Sequence, residues 1–118
     1  MQDFHDLKVW QRSHQLTLEV YRVTQTFPKE EIYGLTSQIR RASASIPANL
    51  AEGCGKQGST ELARYSQIAM GSASELEYHL LLSHDLHYLD DALFKKLTTE
   101  LVEIRRMLNV FLQRLRSD

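Results

Sequence analysis

The chain is poor in the residues that break or staple a polypeptide. Two prolines and five glycines in 118 residues leave few enforced turns, so few, long elements are expected. One cysteine, Cys54, excludes an intrachain disulfide framework and fits a reducing compartment, with the cytoplasm as the default. No run approaches the ~20 apolar residues that span a bilayer, which argues against a membrane protein. The opening residues, with Asp3, His5 and Asp6 and no apolar stretch, do not read as a secretory signal. Charge of one sign is also missing: 14 basic against 15 acidic side chains leave −1, so no overall basic excess announces nucleic acid. Period-two alternation is absent as well, and no sheet is expected.

What is present is helical periodicity in a chain of one-domain length, residues 1–118. A first helix is predicted over about 6–26, stopped by Pro28. It bears two stripes: Leu7, Trp10, His14, Thr17, Leu18 and Tyr21 on one side, Val9, Leu16, Val20 and Val23 on another. A helix in a monomeric bundle needs one stripe, so two suggest burial on two sides. A second helix, about 29–54, carries Ile32, Leu35, Ile39, Ala42, Ile46, Asn49 and Gly53 at steps of three and four. Pro47 interrupts it, at roughly 3 kcal/mol in an ideal helix interior. Because the seam keeps phase, a kink is expected rather than a break. The small residues Ala42 to Ser45 would let a neighbouring backbone approach closely.

A third helix is predicted over about 59–88, with Ser59 as N-cap and Ser66, Ala69, Ala73, Leu76, Leu80 and Ser83 as its narrow face. Tyr65, Ile68, Leu82 and Leu86 form a further face. A fourth helix, about 91–116, is capped by Asp90 and has Phe94, Leu97, Leu101, Ile104, Leu108, Phe111 and Leu115 as its seam. These repeats describe an all-α, up-down-up-down antiparallel four-helix bundle.

Candidate chemistry is sparse. Gly53-Cys54-Gly55-Lys56-Gln57-Gly58 spells G-x-G-x-x-G, but a helix precedes it and no βαβ unit is available, so a helix stop and hinge is the better reading. His84 and His87, with His79 and Asp85 nearby, have a spacing that can aim two imidazoles at one metal, yet no Glu-x-x-His repeat supports a di-iron bundle. Cys54 has no evident activating partner beyond nearby Lys56. No G-x-S-x-G elbow occurs. No enzyme, cofactor or metal is expected, and no small-molecule substrate is evident.

Asn49 and Glu52, behind Pro47, put a polar pair on a small, apolar helix face. Such a pair is costly unless hydrogen-bonded. It either contacts a partner or ligand, or satisfies groups freed at Pro47, or meets an arginine across a helix or subunit boundary. The basic clusters are Arg40 with Arg41, Arg105 with Arg106, and Arg114 with Arg116. At 100° per residue, Arg105 and Arg116 flank one side of the fourth seam, Arg114 the other, and Arg106 lies opposite. These are the candidate nucleic-acid contacts. The third helix is mainly acidic, an asymmetry able to order subunits.

The stretch FPKEEIYGLTSQIRRASASIPANLAEG, from Phe27 to Gly53, together with Gly71-Ser72-Ala73-Ser74-Glu75-Leu76-Glu77 and the opening FHDLKVW from Phe4 to Trp10, resembles the signature of a bacterial family of small four-helix bundles. Some members are encoded by intervening sequences in 23S ribosomal RNA genes, and a relative is the accessory variability determinant of diversity-generating retroelements. The resemblance includes Asn49 and Glu52 but gives them no catalytic task. It implies a homopentameric ring of bundles, and through the retroelement relative it raises binding of RNA or DNA. Two function classes result: a non-enzymatic self-assembling protein, and a nucleic-acid-binding accessory factor acting through the arginines.

Overall fold

Helical hydrogen bonding dominates the computed structural model, which describes residues 2–117. Four helices follow in order: α1, Lys8–Val23; α2, Leu35–Cys54; α3, Ser59–Asp85; and α4, Asp91–Ser117. Short 3-10 turns cover Phe4–Asp6, Thr24–Thr26 and Lys29–Glu31. α1 packs on α2 and α4, and α3 packs on α2 and α4, so α1 and α3 occupy diagonal corners. The molecule is a rod of 45 × 24 × 20 Å. Its length matches a 27-residue helix rising about 1.5 Å per residue.

Several boundaries differ from the sequence reading. The first helix is shorter than 6–26, because its last turn tightens into the 3-10 segment Thr24–Thr26. There Thr24 Oγ1 donates to the Val20 and Tyr21 carbonyls at 2.7 and 3.2 Å, competing with regular helix bonding. The second helix does not begin at Lys29. Ile32 and Tyr33 form a turn, and α2 starts after Gly34. A Cβ at Gly34 would lie 2.8 Å from Glu31 Oε1, so a side chain there would have to displace that carboxylate. The third helix ends at Asp85, with His87 in the left-handed region at φ 66°. Gly58, not Ser59, takes the N-cap position of α3, and its φ of 87° suits glycine. Asp90 does cap α4, its Oδ1 accepting from the Leu93 amide at 2.8 Å.

The core decides between the two α1 stripes. Val9, Leu16, Val20 and Val23 are buried, whereas Leu18 is 51% exposed and Tyr21 44%. The lower half of the other stripe is covered locally: Trp10 stacks on His14 at 5.1 Å and meets Phe4 edge-on at 4.8 Å. On α2 the seam is Leu35, Ile39, Ala42, Ile46 and Leu50. Ile32 is 56% exposed because the turn before Gly34 takes it out of phase. On α3 the narrow face Ser66, Ala69, Ala73, Leu76, Leu80 and Ser83 is wholly buried. On α4, Leu97, Leu101, Ile104 and Leu108 are buried as expected, but the next step is Leu112. Phe111 and Leu115 lie at the edge, because a straight helix drifts from a strict 3.5-residue repeat.

Small residues let α2 and α3 pack most extensively of all the helix pairs. Ala42, Ala69 and Ala73 are buried between them, and Ser45 Oγ meets Ser72 Oγ at 2.7 Å. Gly53 is required here by space: a Cβ would stand 2.8 Å from Tyr65 Cβ and 3.0 Å from Leu62 Cδ1. The α1–α4 seam is the looser one. It is bridged by Arg12 to Glu100 at 2.6 Å and Lys96 to Glu19 at 2.8 Å, with grooves opening between the two helices. Hydrogen bonds from Arg22 and then Lys96 hold the Glu19 carboxyl down at about 2.

Candidate functional site

Pro47 withholds the backbone donor that Ser43 O would receive in a regular helix. Nevertheless α2 runs through it unbroken. The missing bond comes from another helix: Thr17 Oγ1 on α1 donates to Ser43 O at 3.0 Å, sharing its proton with Ser13 O at 2.9 Å. The sequence reading placed Thr17 with Leu18 and missed this role. Its one available signal was a hydroxyl-bearing residue on a helix adjoining the proline.

Asn49 does not serve the freed carbonyl. Its Nδ2 donates to Ser45 O at 2.8 Å and Ser45 Oγ at 2.9 Å, and Ser45 meets Ser72 in turn. Asn49 therefore orients the hydroxyl that links α2 to α3. Glu52 is exposed and makes no ion pair with the other described residues. The two residues thus have separate surroundings, and neither meets an arginine across a helix contact.

The arginines are also dispersed. Arg40 donates to Thr24 Oγ1 at 2.8 Å and Tyr21 O at 3.3 Å, with its guanidinium 4.9 Å above the Tyr21 ring, and so seals the end of α1. Arg41 pairs with Glu75 across α2–α3, and Arg105 pairs with Glu77 at 2.5 Å across α3–α4. Arg106 engages Glu103 on its own helix at 2.5 Å, and Arg116 donates to Gln67 at 2.7 Å. Exposed Arg114 lies with Arg106 and Lys8 around a groove of about 430 Å³. Its apolar floor is Leu7, Met107, Val110 and Phe111. Sequence spacing could not bring Lys8 to Arg114; the antiparallel return of α4 does.

The histidines separate too. His87 lies beyond the end of α3, so the helical spacing to His84 that would aim both at one ion is lost. His84 instead stacks on Phe94 at 4.3 Å and meets Asp91 at 2.7 Å and Asp85 at 3.4 Å. The hydrogen bond to Asp91 is the main cause raising its pKa. His79 Nε2 meets Glu75 Oε2 at 2.9 Å, leaving Nδ1 buried without a partner among the described residues. That hydrogen bond, followed by the charge of Arg41, lowers the Glu75 pKa. Among the described residues no group of three or more His, Cys, Asp or Glu is placed to hold a metal ion. Burial raises the Cys54 thiol pKa, the opposite of the lowering that activates a nucleophilic cysteine. Gly53 to Gly58 closes α2 and opens α3, so these glycines serve a helix junction. No helix among the described residues is long and apolar enough to cross a membrane.

Helical order, the α2 seam through Pro47 and the Asn49–Ser45–Ser72 link thus tie the signature stretch to bundle packing. A model of the 23S rRNA-intervening sequence protein family matches residues 5–110. The chain belongs to that family. A crystal structure of a protein of unknown function from the S23 ribosomal protein family of Bacteroides thetaiotaomicron matches with a TM-score of 0.79. The match covers 88% of this chain and 97% of that one at 22% identity, a likeness of fold alone. No curated protein matches. The family description names no enzymatic activity, and the structural neighbour is a protein of unknown function.

Exposed apolar side chains remain after packing is accounted for. On α3 and its end these are Ile68, Tyr78, Leu81 and Leu86, between 43% and 57% exposed, with Val102 of α4 at 55%. On α1 they are Leu18 and Tyr21. Because α1 and α3 are diagonal, the two groups lie on different sides of the rod.

Proposed function

We propose that this member of the 23S rRNA-intervening sequence protein family is a non-enzymatic assembly subunit that closes with four further copies into a ring. The observation that carries the reading is the pair of exposed apolar surfaces on diagonal helices, α1 and α3. Clustered apolar exposure marks interaction surfaces, and a ring uses two different patches on every subunit, whereas a two-fold dimer uses one. The number five comes from the resemblance of the signature stretch. Sedimentation equilibrium at micromolar protein tests the reading. A five-fold multiple of 13.7 kDa supports it, a lone 13.7 kDa species overturns it, and a dimer keeps self-association while discarding five.

A second reading, nucleic-acid binding through the arginines of an assembled ring, draws on Arg106 and Arg114 beside Lys8. Arg41, Arg105 and Arg106 contribute less than Lys8 and Arg114, because each is already paired with a carboxylate. Filter binding to structured RNA and duplex DNA separates the readings. Phosphate-driven binding would weaken steeply with rising salt, and no retention at about 50 mM salt removes this second role.

A further inference from the structure

Beyond the faces that build the core, α1 and α3 each carry a second stripe, nearly free of charge. On α3 the exposed residues Gln67, Gly71, Ser74, Tyr78, Leu81 and Asp85 follow at alternating steps of four and three, with Asp85 the one charge among them. On α1, Gln11, Leu18 and Tyr21 are exposed and His14 is half-buried, again at steps of three and four. A helix surface facing solvent is ordinarily polar and charged. The outward faces of α2 and α4 obey this, with exposed Arg41 and Glu52 on the one and Lys95 and Arg106 on the other. Alternating steps of three and four are the pattern by which helices pair side by side.

Gly71 stands in the interior of α3, where glycine weakens a helix relative to alanine. Tyr65 and Leu62 account for Gly53, but a Cβ at Gly71 would meet nothing among the described residues within 4 Å. The bundle itself has no use for glycine there, whereas a second backbone running along the stripe does. The apolar parts of the two stripes also lie level. Leu18 and Tyr21 fall in the last eight residues of α1, and Tyr78 and Leu81 in the last eight of α3. Both helices finish at the same end of the rod, where Phe27 meets Tyr88 with ring centroids 5.3 Å apart. Up-down-up-down order makes α1 and α3 parallel as well.

We propose that α1 of one copy packs lengthwise and parallel on α3 of the next, with Leu18 and Tyr21 against Tyr78 and Leu81 and the close approach at Gly71. The contact rests on the self-association reading and names its interface. A rotation that sets rods side by side about a common axis keeps every α1 and α3 pointing one way and adds no shift along the rod. Two parallel stripes at one level are what such closure needs; stripes at different levels would build an open filament instead. The contact is heterologous, α1 against α3, and holds for a ring of any number of subunits.

The test uses full-length protein with single new cysteines, Leu18→Cys in one preparation and Tyr78→Cys in another; both positions are exposed, and native Cys54 is buried. Mixed, left to exchange subunits and treated with a short bis-maleimide, the two should give linked dimers at least ten-fold faster than either alone. Leu18→Cys mixed with Gln67→Cys, at the far end of the α3 stripe, should not. Separately, Gly71→Gln has room inside the bundle and should keep its helical circular dichroism, yet weaken self-association at least ten-fold in sedimentation. An oligomeric wild type without excess mixed linkage overturns this contact and leaves self-association intact. Linkage as fast within the Leu18→Cys preparation alone would mean α1 on α1, and equal linkage at Gln67→Cys would end the level, parallel pairing. Association unmoved by Gly71→Gln overturns the close approach. A monomeric wild type overturns contact and assembly together.

Discussion

Replacing Thr17 by valine removes the hydroxyl that answers the proline in α2 and almost nothing else. The side chains are similar in shape, and Ser13 O, the other acceptor, keeps its place in the α1 backbone ladder. What changes is Ser43 O, buried between α1 and α2 and without a Pro47 amide to receive. A buried polar group left unsatisfied costs about 1–3 kcal/mol, and Thr17→Val should destabilise by that amount. The decisive comparison is the same change made in a Pro47→Ala background. Alanine restores an N–H to Ser43 O, so Thr17→Val should then cost under about 1 kcal/mol, giving a coupling of about 1–2 kcal/mol in the double-mutant cycle. Urea melts of the four proteins measure it, at one fixed protein concentration because association shifts apparent stability. Equal costs in the two backgrounds, within about 0.5 kcal/mol, would show that Thr17 does not compensate Pro47.

Leu108 is fully buried at the centre of the α4 seam, so Leu108→Ala should cost about 2–5 kcal/mol in a chemical melt; a loss under half of one would put the seam in the wrong register. Gly53→Ala would drive a methyl against Tyr65 and Leu62, and a destabilisation of about 1–3 kcal/mol is expected by the same assay. His84 has a folded pKa raised above 6.5, chiefly by Asp91. Its contribution is complete below the unfolded value and fades as pH rises through the folded one. The melting-temperature advantage of wild type over His84→Gln should therefore shrink from mildly acidic to mildly alkaline buffer, and a constant difference would exclude the His84–Asp91 latch.

The helices and most of the core were legible because apolar side chains recur at steps of three and four wherever a helix faces its neighbours. Leu97, Leu101, Ile104 and Leu108 needed no more than counting. Leu112 did not follow from it, since a strict heptad is a coiled-coil rule and a straight helix drifts from it by about 20° per heptad, enough along α4 to exchange Phe111 for Leu112. Choosing between the α1 stripes was beyond spacing as well: Val20 and Tyr21 are equally apolar by pattern, and only packing against α2 and α4 buries the former. Gly34 could have flagged the broken start of α2, yet the Glu31 carboxylate that accepts from the Leu35 amide there emerges only in the fold. The candidate site was less legible still. Asn49 was visible as an anomaly, but its partner Ser72 lies on another helix, and the answer to Pro47 came from Thr17. Lys8 and Arg114 become neighbours only through the return of the final helix.

The uneven packing of the four seams has a consequence for the order in which the bundle forms and opens. α2 and α3 are consecutive, share the most extensive contact, and are joined by a short glycine-bearing link, so little loop entropy opposes their pairing. α1 and α4 come from opposite ends of the chain and meet along the groove-lined seam. The α2–α3 hairpin is therefore the natural nucleus, and the α1–α4 seam the last to close and the first to part. In deuterated water, amides in the middle of α2 and α3 should outlast those of α1, whose release leaves the hairpin intact.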